Sequence, residues 1–304
     1  MDTNKLTGIH FLLSMTCTYE CDHCFLYCSP RAEGVFSITD IESILRQARD
    51  LPNVKYVYFE GGEPFLHYPL LLRGAELCRE YGFKIGIVTN CYWATTKRNA
   101  LLWLEPLANI GVDDFSISKD EFHGSYECPE FTRNAYEAAK ELGLPVGTIT
   151  IDEPKIEHPA STTGQRGAPV VGGGVVFRGR AADKLTDGLP VTPLASFEEC
   201  PHEELQEPSR LHIDPFGDTH ICQGMSMGNV LKKGLVEVVS EYDHTEHAIC
   251  GPIIEGGPAK LAEKYKVEVQ QGYVDACHLC FDVRRKLLEQ FPSELTPAQV
   301  YGIE

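Results

Sequence analysis

Cys17, Cys21 and Cys24 stand at C-x3-C-x2-C spacing, directly after the apolar segment GIHFLLSM. Three thiolates this close hold three irons of a 4Fe–4S cluster and leave the fourth iron open to a substrate or cofactor. A structural zinc site takes four ligands, usually in two pairs; Cys28 or His23 would have to be the fourth here. The bland alternative, core cysteines that share this spacing by chance, is a rare coincidence. A second set, Cys200, Cys222, Cys250, Cys277 and Cys280, falls in the last third of the chain. The segment LHIDPFGDTHIC reads as a β-hairpin: Leu211, Ile213, Thr219 and Ile221 suit its strands, and Pro215 to Asp218 its turn. Cys277-x2-Cys280 leads into a helix and suits iron–sulfur or zinc alike. Cys78, Cys91 and Cys128 are scattered, and Cys78 reads as a small buried residue.

The segments that position these groups alternate between strand and helix. Strands are expected at Gly8 to Met15, Lys55 to Glu60, Lys84 to Thr89, Asp114 to Ser118 and Val146 to Ile151, with a sixth at Val175 to Phe177. Helices are expected at Thr39 to Leu51, Leu70 to Tyr81, Lys97 to Ala108 and Pro129 to Leu142. Thr39 and Glu42 have capping-box spacing, and Gly82 and Gly143 suit helix stops. This rhythm predicts an α/β fold, a partial (β/α)6 TIM-like barrel with its functional loops after the strands. Glu157 to Gly174 is glycine-rich and irregular, and reads as a mobile loop; no P-loop lysine follows it. From about Leu185 the rhythm stops, so we divide the chain into a barrel at 1–184 and a small cysteine-rich module at 185–304.

Bulk properties exclude some functions. The chain has 304 residues, 43% hydrophobic and 23% charged, and a net charge of −17, which opposes phosphate backbones and anionic membranes. With no long apolar run and no signal-like N-terminus, a cytoplasmic location is expected. Reduced cytosolic thiols make metal binding a better use of twelve cysteines than disulfides.

The cysteine triad after the first strand resembles the motif of the radical S-adenosylmethionine (SAM) superfamily. Gly61-Gly62-Glu63-Pro64 follows the second strand and resembles that family's GGEP element, which holds the SAM amino group. Thr89-Asn90-Cys91 resembles its TNG segment, with cysteine for glycine; this makes Cys91 a candidate hydrogen-donor thiol, weighed against a small packed residue. Ser116 to Asp120, with His123 beyond, resembles the SxSxD…H segment, which implies SAM contacts for Ser118 and Asp120. Arg178-Gly179-Arg180 resembles a GRA segment and implies that Arg180 pairs with SAM or substrate. The C-terminal cysteines resemble the SPASM/twitch extensions. A full SPASM core has seven cysteines, so five imply one auxiliary iron–sulfur cluster, a 4Fe–4S on Cys200, Cys222, Cys277 and Cys280, with Cys250 as an alternative ligand and zinc as the competitor.

The resemblance implies an enzyme that cleaves SAM reductively, takes electrons from a low-potential donor such as flavodoxin or ferredoxin, and abstracts hydrogen from a peptide or small molecule. With few residues before Gly8, a peptide substrate is expected to need a separate recognition protein or the glycine-rich stretch. The alternative is a non-enzymatic iron–sulfur or zinc protein in electron transfer or assembly, for which a SAM site has no use.

Overall fold

The computed structural model describes residues 5–123, 129–158 and 169–303. In chain order the elements are β1 (Gly8–Ser14), α1 (Ile38–Ala48), β2 (Tyr56–Gly61), α2 (Tyr68–Tyr81), β3 (Lys84–Thr89), α3 (Lys97–Ile110), β4 (Asp114–Ser118), α4 (Pro129–Glu141) and β5 (Val146–Ile149). There follow β6 (Lys155–Glu157), β7 (Val170–Gly172), α5 (Arg180–Lys184), β8 (Thr192–Pro193), β9 (Arg210–Ile213), β10 (Asp218–Cys222) and β11 (Met225–Asn229). The last are α6 (Leu235–Glu241), α7 (Cys250–Tyr265), β12 (Gly272–Tyr273) and α8 (Ala276–Lys286).

One eight-stranded sheet organises the molecule, in the order β11-β10-β9-β1-β2-β3-β4-β5. Neighbours from β9 through β5 run parallel, and β10 and β11 return antiparallel. Successive strand residues face opposite ways. Phe11 and Phe59 stack on the helix side, 5.6 Å between centroids; a Cβ on Gly74 of α2 would meet the Phe59 ring at 2.9 Å. Leu12, Glu60, Val88 and Ser118 face the other way, into a cavity at the strands' C-terminal ends. The α/β architecture with a parallel-rich sheet is as expected.

Several details differ from the sequence expectations. The sixth strand does not form at Val175 to Phe177. There the Phe177 amide donates to the Asp275 carboxylate (3.4 Å) and the Arg178 amide to the Val176 carbonyl, so the backbone is satisfied outside a ladder. The strand added to the parallel run is β9, on the far side of β1, with Gly8 opposite Arg210 and His10 opposite His212. The sheet thus continues across the 184/185 division. Ser37, not Thr39, caps α1: Ser37 and Asp40 have the same box spacing, and the Ser37 hydroxyl accepts from the Asp40 amide. Within Glu157 to Gly174, β6 and β7 pair antiparallel; its residues 159–168, and Cys128, lie outside the described residues. The expected hairpin forms as β9 and β10, turning at Gly217 with φ of 86°. Among the described residues no helix is long and apolar enough to cross a membrane.

Candidate active site

The loop after β1 carries Cys17, Cys21 and Cys24 to one wall of a cavity that Gly61, Gly62, Glu63, Asn90, Ser118, Asp120 and His123 also line. Close backbone approach builds it. A Cβ on Gly62 would stand 2.0 Å from the Thr16 carbonyl oxygen, while the Glu63 amide donates to that same carbonyl at 3.0 Å. Only glycine allows the end of β2 to cross the cluster loop this tightly.

Glu63 is 1% exposed. Burial pushes its carboxyl up to about 7 against hydrogen bonds from the Asn90 and Phe65 amides and the Thr89 hydroxyl. The Asn90 side-chain amide donates to Thr18 Oγ1 at 3.0 Å and approaches Cys17 Sγ at 3.6 Å. Asp120 accepts from the Phe122 amide and holds the His123 ring at 2.6 Å; its Oδ2 is buried without a hydrogen-bond partner. His23 lies 3.8 Å from that oxygen, and burial lowers it to about 4, so its ring is neutral at pH 7.

The three thiols suit a metal cluster. Burial pushes Cys17 up to about 12, and Cys21 is raised by burial and by its neighbours Cys24 and Cys17. A hydrogen bond with the Cys28 thiol lowers Cys24 to about 6. Cys17 and Cys21 thus stay protonated without a cation beside them, and a metal bound among the three would displace those protons. Cys28 lines the same cavity, so a fourth thiol stands beside the triad.

Two predicted residues are engaged elsewhere. Arg180 is not among the residues lining the cavity. Its guanidinium donates to the Cys21 and Cys28 carbonyls at 2.8 and 2.9 Å, and its amide to the Cys24 carbonyl at 2.9 Å. It braces the cysteine loop from behind, and Gly179 (φ 60°) permits the contact, since a Cβ there would stand 2.4 Å from Phe25 Cα. Cys91 is fully buried and does not line the cavity. Its φ is 63°, the left-handed region that a glycine at this position would adopt without strain.

Cys200, Cys222, Cys277 and Cys280 converge on a second, smaller cavity. Cys250 is not among its lining residues; its thiol lies 3.7 Å from Met225 Sδ. Two arginines complete the site, and sequence reasoning missed the part they play there. Arg178 donates to Cys222 Sγ at 3.1 Å and pairs with Glu203 at 3.2 Å. Arg284, 1% exposed, donates to the Gln223 carbonyl at 3.1 Å and lies 3.9 Å from Cys222 Sγ. Buried guanidinium groups offset the charge of a thiolate set.

The family model of the radical SAM superfamily matches residues 12–153. YydG of Bacillus subtilis (strain 168), whose name suggests a part in peptide biosynthesis, is 25% identical over 138 residues, 45% of this chain and 43% of its own length. The tungsten-containing aldehyde ferredoxin oxidoreductase cofactor-modifying protein of Pyrococcus furiosus (strain ATCC 43587 / DSM 3638 / JCM 8422 / Vc1) is 30% identical over 113 residues, 37% of this chain and 30% of its own. The matched stretches therefore span less than half of these curated relatives. Among solved structures, anSMEcpe with bound AdoMet and the Cp18Cys peptide superposes with a TM-score of 0.51 at 12% identity, covering 94% of this chain and 97% of that one. That likeness establishes the fold. Proteins of that superfamily use a 4Fe–4S cluster and SAM; the matched stretch covers less than half of this chain.

Proposed function

We propose that this chain is a radical SAM enzyme that abstracts hydrogen from a peptide or small molecule, with an auxiliary iron–sulfur cluster on Cys200, Cys222, Cys277 and Cys280. The observation that carries the reading is the single cavity shared by Cys17, Cys21, Cys24, Gly61, Gly62, Glu63, Asn90, Ser118 and Asp120, within the stretch that the family model matches. When bound, a cluster and SAM would supply one-electron cleavage of SAM and a 5′-deoxyadenosyl radical.

The chain's own residues have assignable parts. Cys17, Cys21 and Cys24 hold iron. Gly61 and Gly62 give the cofactor a close backbone wall, Glu63 offers a carboxylate for its ammonium, and Asn90 and Ser118 offer polar contacts. Asp120 orders the neighbouring imidazoles. Arg180 serves by fixing the cysteine loop. The peptide alternative draws on the name of the Bacillus relative.

Anaerobically reconstituted protein, reduced with SAM present, is expected to release 5′-deoxyadenosine, and the Cys17→Ala/Cys21→Ala/Cys24→Ala variant none. With a deuterated substrate the nucleoside should carry deuterium. A fully iron-loaded protein that never cleaves SAM, with or without candidate peptides, would favour the electron-transfer reading.

A further inference from the structure

Apart from the cysteine sites, three metal-ligating side chains converge on adjacent parallel strands. His10 of β1, Glu60 of β2 and His212 of β9 present one donor atom each, all within 4.8 Å of one another. His10 Nδ1 lies 2.9 Å and His212 Nε2 3.1 Å from the same oxygen, Glu60 Oε1. Donor atoms bound to one ion at about 2.0–2.2 Å stand about 3 to 3.5 Å apart, so these spacings fit the edges of one coordination polyhedron.

The surroundings hold the trio in place. Tyr58 stacks on His10 at 4.6 Å, and its hydroxyl donates to Asp114 at 2.8 Å. Gln223 approaches His212 Nε2 at 3.5 Å, and its amide oxygen is buried without a partner. The two amide orientations have the same shape; turned over, that oxygen faces the imidazole as a fourth donor. The ion pairs of Glu60 are with the two imidazoles alone, and neither lysine nor arginine joins them among the described residues. Glu60 also lines the cavity of the first cysteine site, and Gln223 follows Cys222 of the second.

We infer that His10, Glu60 and His212 bind one divalent transition-metal ion inside the barrel, between the SAM cavity and the auxiliary site. Two imidazoles and one carboxylate suit zinc or iron(II), and three protein ligands leave open positions for an oxygen donor. The site does not depend on the catalytic reading above, because its occupancy can be measured without SAM.

The test uses the full, iron-loaded chain and zinc ion as the probe, since nitrogen–oxygen sites hold zinc more tightly than iron(II) or manganese(II). After excess zinc and desalting, elemental analysis should find about one zinc per chain beyond the iron. Zinc-edge X-ray absorption should show nitrogen and oxygen ligands with imidazole scattering and no sulfur. Glu60→Gln and His10→Gln should each weaken zinc retention at least tenfold with iron and sulfide unchanged; a variant that loses iron is misfolded, and the other then decides. No retained zinc, sulfur in its shell, or retention indifferent to a folded variant overturns the inference.

Discussion

The two cysteine sites are built in opposite ways. In the first, all three cysteines sit in one short loop after β1, and the cavity in front of them is large and lined with glycine backbone, carboxylates and amides. In the second, the cysteines come from the loop before β9, the end of β10 and the start of α8, and the smaller cavity is lined by Leu205, Met225, Ile253 and Pro258, with two arginines against Cys222 Sγ. An open ligand position is useful only where a cofactor can enter. The first site is shaped for exchange and the second for retention.

The largest expected effects break that contrast directly. Cys21→Ala should reduce 5′-deoxyadenosine release to background, whereas Cys277→Ala should leave substrate-free release within about tenfold, by chromatographic assay of the nucleoside. If both variants abolish cleavage equally, the two sites are not separate in function.

Next come the arginines that brace each site. Arg180→Ala removes the side-chain donor of the Cys28 carbonyl and one of the two donors of the Cys21 carbonyl, at about 1–3 kcal/mol in total. Arg178→Ala removes the nearer guanidinium from Cys222 Sγ and leaves Glu203 paired with Arg210 alone, at about 1–3 kcal/mol. Denaturation should show both losses, with iron leaving the first site in Arg180→Ala and the second in Arg178→Ala. Loss from the opposite site would reverse the assignment of the braces.

Smaller effects sharpen the ligand sets. Cys250→Ala should keep full iron content and cost about 1 kcal/mol, because the thiol packs against Met225 outside the cavity. Falling iron would make Cys250 a ligand. Cys91→Gly should change stability by no more than about 1 kcal/mol, since relief of its positive φ offsets lost packing, and should leave SAM cleavage intact. A substrate-dependent loss of turnover in that variant would restore its place as a hydrogen donor.

What could be read in the chain follows the same local-against-distant line. The first site was legible because the spacing of Cys17, Cys21 and Cys24 is local and the strand–helix rhythm placed the glycine and serine segments at strand ends. The part Arg180 plays was not, because bracing a loop more than 150 residues earlier leaves no mark in its own neighbourhood. The parallel pairing of β9 with β1 was likewise hidden: it depends on sheet order, not on periodicity. His10, Glu60 and His212 read singly as ordinary strand residues, and only the register that sets His10 opposite His212 unites them.

The most direct measurement of the two-site account is the iron and sulfide content of three anaerobically reconstituted proteins, read beside SAM cleavage. The parent should hold about eight irons and cleave SAM. Removing Cys17, Cys21 and Cys24 should leave about four irons and no cleavage; removing Cys200, Cys222, Cys277 and Cys280 should leave about four irons with cleavage retained. A parent with about four irons and one zinc held by sulfur would contradict the auxiliary cluster, and unchanged iron in the first variant would contradict the cysteine triad itself.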